Sequence, residues 1–138
     1  MKKIFLLIVL DSMLSCKQKI IETDISNLNG YWEIEKVELP KGDKIEYKIN
    51  ETIDFFKIEA NKGYRKKVMP QLDGTYLTND VQEDVTVVLK DGEAILQYKT
   101  NYASWNEEII ELTIDKLVVK NEQEIEYYYK RPAKFSVK

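Results

Sequence analysis

The chain has 138 residues, room for one domain of ordinary size. A hydrophobic share of 43% and a charged share of 33% exclude collagen-like and disordered classes. The net charge of −3, from 21 basic and 24 acidic side chains mixed along the chain, excludes the basic field that nucleic-acid binding needs. With no histidine and a single cysteine, Ser-His-Asp and Cys-His mechanisms lack their base and a zinc site lacks most of its ligands.

The first segment, "MKKIFLLIVLDSMLSC", has a positive start at Lys2 and Lys3, an apolar run from Ile4 to Leu10, and Ser15 directly before Cys16. These are the parts of a secretory signal, and the apolar run is far shorter than the roughly 20 residues a membrane-spanning helix needs. The end of the segment, "MLSC", resembles a bacterial lipobox. That resemblance implies a signal peptide over residues 1–15, lipidation of Cys16, and attachment to the bacterial cell envelope, at the outer membrane. Residues 16–26 read as a polar tether with room for a short turn of helix.

From Asn27 onward the chain alternates in short segments, apolar against charged, with turn signals between them. Trp32 and Ile34 share one face of the first strand, and a slip of phase before Val37 and Leu39 predicts a bulge or bend. "IDFFKIEA" (53–60) places Phe56 and Ile58 inward; "NKG" (61–63) reads as a turn into "YRKKVM", which Pro70 ends. The run Arg65-Lys66-Lys67 reads as a solvated edge. "LDGTYL" is a short strand carrying Tyr76, and "DVTVVLK" (84–90) points Val85, Val87 and Leu89 one way.

Asp91-Gly92 is the strongest hairpin signal, answered by Ala94, Leu96 and Tyr98 in "EAILQYKT" (93–100). "WNEEIIELTI" (105–114) is expected to turn Ile110, Leu112 and Ile114 inward, with Glu108 the one inward acid. "LVVK" and "EIEYYYKR" (124–131) complete the series, the last presenting Ile125, Tyr127, Tyr129 and Arg131 on one face. The sum is an all-β chain of about eight to ten strands in up-and-down antiparallel order, one face buried, curling into a closed barrel.

Gly30-x-Trp32 in the first strand and Arg131 at the end of the last resemble the lipocalin signature. More narrowly, the lipobox, "LNGYWEI" and "EYYYKR" resemble lipocalin-like domain lipoproteins of Bacteroidetes-type bacteria, over residues 27–132 with a tail at 133–138. The resemblance implies a barrel floor in which Trp32 is the plug and Arg131 lies across its ring, while Gly30 lets the chain pass close by.

A barrel of that size is either filled or holds one small molecule. The expected lining is Phe56, Ile58, Tyr76, Val87, Leu96, Tyr98, Ile110, Leu112 and Tyr127, with Tyr102 and Trp105 as a rim. The acids Asp80, Glu83, Asp84, Glu107 and Glu108 lack calcium-loop spacing and, Glu108 apart, read as solvated faces, so neither a metal, a cofactor nor catalysis is expected. Two functions stay open: a lipid-anchored, non-enzymatic barrel carrying a small hydrophobic ligand, or a solid-core barrel that serves as an envelope interaction module. The expected partners are the membrane, through the anchor, and a small apolar ligand, but no nucleic acid.

Overall fold

Apolar side chains at every second position, rich in Val, Ile, Tyr and Phe, favour the pleated backbone, and nine strands form among the described residues. They are β1 (Gly30–Glu38), β2 (Lys44–Glu46), β3 (Ile53–Glu59), β4 (Lys62–Pro70), β5 (Tyr76–Lys90), β6 (Glu93–Lys99), β7 (Ser104–Leu112), β8 (Lys116–Asn121) and β9 (Glu126–Lys130). This computed structural model describes residues 17–48, 50 and 52–133, with the side chains of Asn79 and Asp80 left aside. The leader, Cys16 and the chain beyond Ala133 lie outside the described residues.

Each strand from β3 to β9 pairs antiparallel with the next, and β9 returns to β1. The lower part of β1 pairs with β3 and its upper part carries the short β2 on the same side. Eight strands therefore close an up-and-down barrel and β2 is an addition. Closure removes the long edges that would otherwise invite pairing with other chains.

Turn chemistry sets the register. Asp91 and Gly92 take φ of +53° and +79°, the two left-handed positions of a type I′ hairpin, which puts Val85 opposite Tyr98 and Val87 opposite Leu96. The β3–β4 turn lies at Ala60-Asn61, with φ of +50° and +62°, rather than over 61–63. Gly63 is consequently inside β4, opposite Ile58, where a side chain would run into the Lys57 carbonyl. The stretches expected as two strands around Tyr76 and 84–90 are one 15-residue strand. A register shift between Lys66 and Val68 lets the long β4–β5 hairpin leave the barrel wall.

A second shift, between Ile109 and Glu111, corrects the expected phase of β7. Ahead of it Glu107 and Ile109 point inward; beyond it Leu112 does. Ile110 therefore faces outward, Ile114 is exposed, and Glu108 sits on the outer wall in an ion pair with Lys17.

The core fills the closed end. Trp32, Phe56, Ile58, Val87, Leu96, Ile109, Leu112, Leu117 and Val119 pack as one cluster, joined by Ile20, Ile25 and Leu28 from ahead of β1. Of these, Ile20 and Ile25 overturn the tether expected over 16–26, at least from Lys17 onward. The Gln18 side chain accepts from the Leu112 N–H and donates to its carbonyl, and the Ile20 N–H donates to the Gly92 carbonyl. A 3₁₀ helix, Glu22–Leu28, then crosses the barrel end and buries Ile25 and Leu28. Burying such aliphatic side chains stabilises by about 1.5–3 kcal/mol each, enough to hold a short segment that reads as polar.

Candidate functional site

The two ends of the barrel differ in kind. At the floor, Gly30 takes φ of +106°, a conformation that L side chains rarely adopt, and a Cβ there would lie 3.2 Å from Arg131 Nη1. Trp32 is fully buried and its indole N–H donates to the Leu28 carbonyl at 2.8 Å. The Arg131 guanidinium lies 3.6 Å from the centre of the Trp32 ring and donates to the carbonyls of Ile114, Tyr31 and Asn27. One side chain thus ties the β7–β8 turn, β1 and the 3₁₀ helix together across the plug.

The opposite end is open and polar. A cup of about 340 Å³ is lined by Arg65 and Lys67 from β4, Trp105, Asn106 and Glu107 from β7, Asn121, Glu122 and Gln123 from the β8–β9 turn, and Tyr127 and Tyr129 from β9. Strand alternation explains the set. The Ala60-Asn61 turn pairs Arg65 with Phe56 and Lys67 with Asp54, so both cations share the face of the inward Phe56. Glu107 lies opposite the inward Leu96, and Trp105 opposite the inward Tyr98.

Within the cup Arg65 holds Glu83 in a two-pronged contact, Nε–Oε1 at 2.7 Å and Nη2–Oε2 at 3.0 Å. Lys67 donates to the buried Asp54 at 2.7 Å. The Arg65 guanidinium covers the Tyr98 ring at 4.2 Å, and Tyr98 stacks on Trp105 with centroids 5.4 Å apart. Glu107 is only 7% exposed, and its nearest cation is Arg65 Nη1 at 3.6 Å. Glu107 Oε1 and the Tyr98 hydroxyl are both buried without a partner at good hydrogen-bond geometry, the hydroxyl offering the carboxylate beside it a weak donor. Such orphaned buried polar atoms are few in folded proteins and are costly.

Electrostatics follow from that crowding. Burial lifts the Glu107 carboxyl above the ordinary carboxylate range, with Arg65 and then the Tyr98 hydroxyl opposing the shift. Burial raises the Tyr98 and Tyr129 hydroxyls well above their usual range. Burial works against the Arg65 charge, but Tyr98, the hydrogen-bonded Glu83 and Asp54 outweigh it, so the guanidinium stays charged. Among the described residues, no group of three or more Cys, Asp or Glu side chains is placed to hold a metal ion.

The residues expected to line a ligand are thus divided. Phe56, Ile58, Val87, Leu96 and Leu112 belong to the packed core below the cup. Tyr98 forms the buried wall behind Trp105, and Tyr127 lines the cup itself, its hydroxyl accepting from the Asn121 amide at 3.3 Å. Ile110 is outside because of the β7 bulge. Tyr76 is outside because the β4–β5 hairpin folds over the wall: its ring stacks on outward-facing Tyr31 with centroids 4.1 Å apart. Of the expected rim, Tyr102 is 97% exposed and Trp105 folds back onto Tyr98.

Arg65, Lys67, Asp54, Glu83 and Glu107 escaped the sequence reading, which took the basic run for a solvated edge and allowed one inward acid, Glu108. The available signal was register. Once hairpin turns fix the cross-strand partners, the inward neighbours of Phe56, Leu96 and Tyr98 follow by alternation.

A larger groove, about 550 Å³, lies outside the barrel beneath the β4–β5 hairpin, lined by Tyr31, Ile53, Pro70, Tyr76 and Pro132 among others. It is the more apolar of the two, and among the described residues its walls carry no orphaned buried polar atom.

The barrel has known counterparts. The chain resembles the crystal structure of a lipocalin-like protein from Bacteroides uniformis, with a TM-score of 0.50 and 14% identity over 77% of this chain and 99% of that one. An uncharacterized protein from Bacteroides eggerthii matches with the same TM-score and identity, over 76% of this chain and 99% of its own. No curated protein matches the chain. The lipocalin-like domain matches residues 28–119, most of the barrel, and the chain belongs to the lipocalin-like domain family.

Proposed function

We propose that this protein is a non-enzymatic, small-ligand-binding barrel of the bacterial envelope, with the open cup as its binding site. The supporting observation is the contrast between the ends. The floor is stoppered by Trp32 and Arg131, while the mouth keeps a walled space of about 340 Å³ with aromatic sides and an unmet carboxylate oxygen. The apolar interior below is packed, so a purely hydrophobic ligand has no room there. An amphipathic molecule of about one ring suits the cup better.

Saturation-transfer NMR with a panel of single-ring fragments, neutral and charged, tests this. Saturable binding is expected, weakened by Trp105→Ala and Tyr127→Ala and unchanged by Tyr76→Ala in the outer groove. Binding lost with Tyr76→Ala instead, or no binding by any fragment, would overturn the proposal; the second result favours a solid-core interaction module.

The envelope location rests on the leader sequence and on Cys16. Lipidation there supplies membrane attachment at about 0.8 kcal/mol per buried methylene. Cells fed radiolabelled fatty acid should label the wild type and not Cys16→Ala. Label kept by the variant would refute the anchor.

A further inference from the structure

The charges around the cup do not cancel. Two cations face its interior, Arg65 and Lys67, against three acids, Asp54, Glu83 and Glu107. Lys67 is held by Asp54 at 2.7 Å, and Arg65 spends two of its nitrogens on Glu83. Glu107 is left with Arg65 at 3.6 Å as its nearest cation, and its Oε1 has no partner at good hydrogen-bond geometry, the neutral Tyr98 hydroxyl beside it being a weak donor. A further acid, Glu122, stands on the lip, where it accepts from the Asn106 N–H at 3.2 Å. With every carboxyl ionised the cup therefore carries an excess of negative charge, centred on Glu107, which is more than nine-tenths buried.

An anion is a poor occupant. Both cations are engaged by carboxylates, and the Arg65 face is stacked on Tyr98. A neutral apolar occupant leaves the buried Glu107 charge without a counter-ion of its own, which is costly. A cation removes that cost, and the walls favour it further. Trp105, Tyr127 and Tyr129 present aromatic surface around the same space, and ring faces attract positive charge.

We infer that the cup selects small organic monocations, its ligand pairing an ammonium with Glu107 and an apolar ring with Trp105 and Tyr127. This rests on the cup being the binding site. Burial already pushes Glu107 towards its protonated form, and a bound cation supplies the counter-charge that lets it ionise.

Isothermal titration calorimetry on the full chain, with three probes alike except in charge, tests the selection. The probes are 2-phenylethylammonium, the neutral 2-phenylethanol and the anionic 3-phenylpropionate. The ammonium is expected to bind about tenfold more tightly than the alcohol, or better, and Glu107→Gln should erase that margin. Glu107→Asp, which keeps the charge, should retain part of it.

If the alcohol or the carboxylate binds wild type as tightly as the ammonium, the inference fails while the cup remains a binding site. If Glu107→Gln folds and keeps the full margin, the inference fails likewise. If none of the three binds, the proposed function falls and takes the inference with it. The wild-type series decides the matter even if a Glu107 variant does not fold.

Discussion

Glu107 brings a carboxylate oxygen into the barrel where it meets no donor at good hydrogen-bond geometry, beside an arginine already taken by Glu83. Its surroundings from other strands are Arg65, Asp54, Glu83 and Tyr98, and burial outweighs the attraction of Arg65, so its proton is held more tightly in the native state than in the unfolded chain. The sign of the consequence is fixed by linkage. Below an ordinary carboxyl value of 4.5 both states carry the proton. Between that value and the raised native one, the folded state carries more protons, so this group's contribution to stability declines as pH rises. Glu107→Gln removes the decline. In urea titrations from about pH 4 to about pH 7, the variant should gain stability relative to wild type as pH rises. A difference that stays flat, or runs the other way, would show that the carboxylate is not strained by burial.

The β3–β4 hairpin shows what turn geometry does at the level of an element. Its left-handed pair Ala60-Asn61 lacks the Asn-Gly or Asp-Gly signature, and the nearby Gly63 drew the turn two residues along. Gly63 serves another purpose. A Cβ built on it would lie 1.8 Å from the Lys57 carbonyl oxygen, so the strand passes there only with a hydrogen in that place. Gly63→Ala should destabilise the protein by about 1–3 kcal/mol, seen as a lowered urea midpoint; a midpoint equal to wild type would contradict this packing.

The same hairpin explains how much of the site was legible. Strand number, antiparallel order and the Asp91-Gly92 register could be read directly, because alternation and turn chemistry are local. The bulge in β7 could not be read, because "EEIIEL" offers apolar residues in both phases and only packing selects Ile109 and Leu112 over Ile110. The cup stayed hidden because charged residues on strands usually face water. Arg65 is inward only through the register that Ala60-Asn61 imposes. Residues 17–26 were misjudged for a related reason: two apolar side chains among polar ones, Ile20 and Ile25, suffice when each of them meets the barrel floor.

At the scale of the whole molecule, the barrel divides into a packed lower half and a polar mouth. Trp32, Arg131 and the 3₁₀ helix seal one end, so any interior ligand must arrive from the other. The outer groove beneath the β4–β5 hairpin is larger and more apolar, and it is the natural competitor for a small molecule. The two regions share no lining residue, which makes them separable by mapping. The most direct measurement is a residue-resolved map of amide shifts in ¹H–¹⁵N NMR as 2-phenylethylammonium is added. The expected result is a saturable set of shifts centred on Arg65, Trp105, Glu107, Asn121 and Tyr127, with Tyr31 and Tyr76 unmoved. Shifts centred on Tyr31 and Tyr76, with the cup silent, would contradict it.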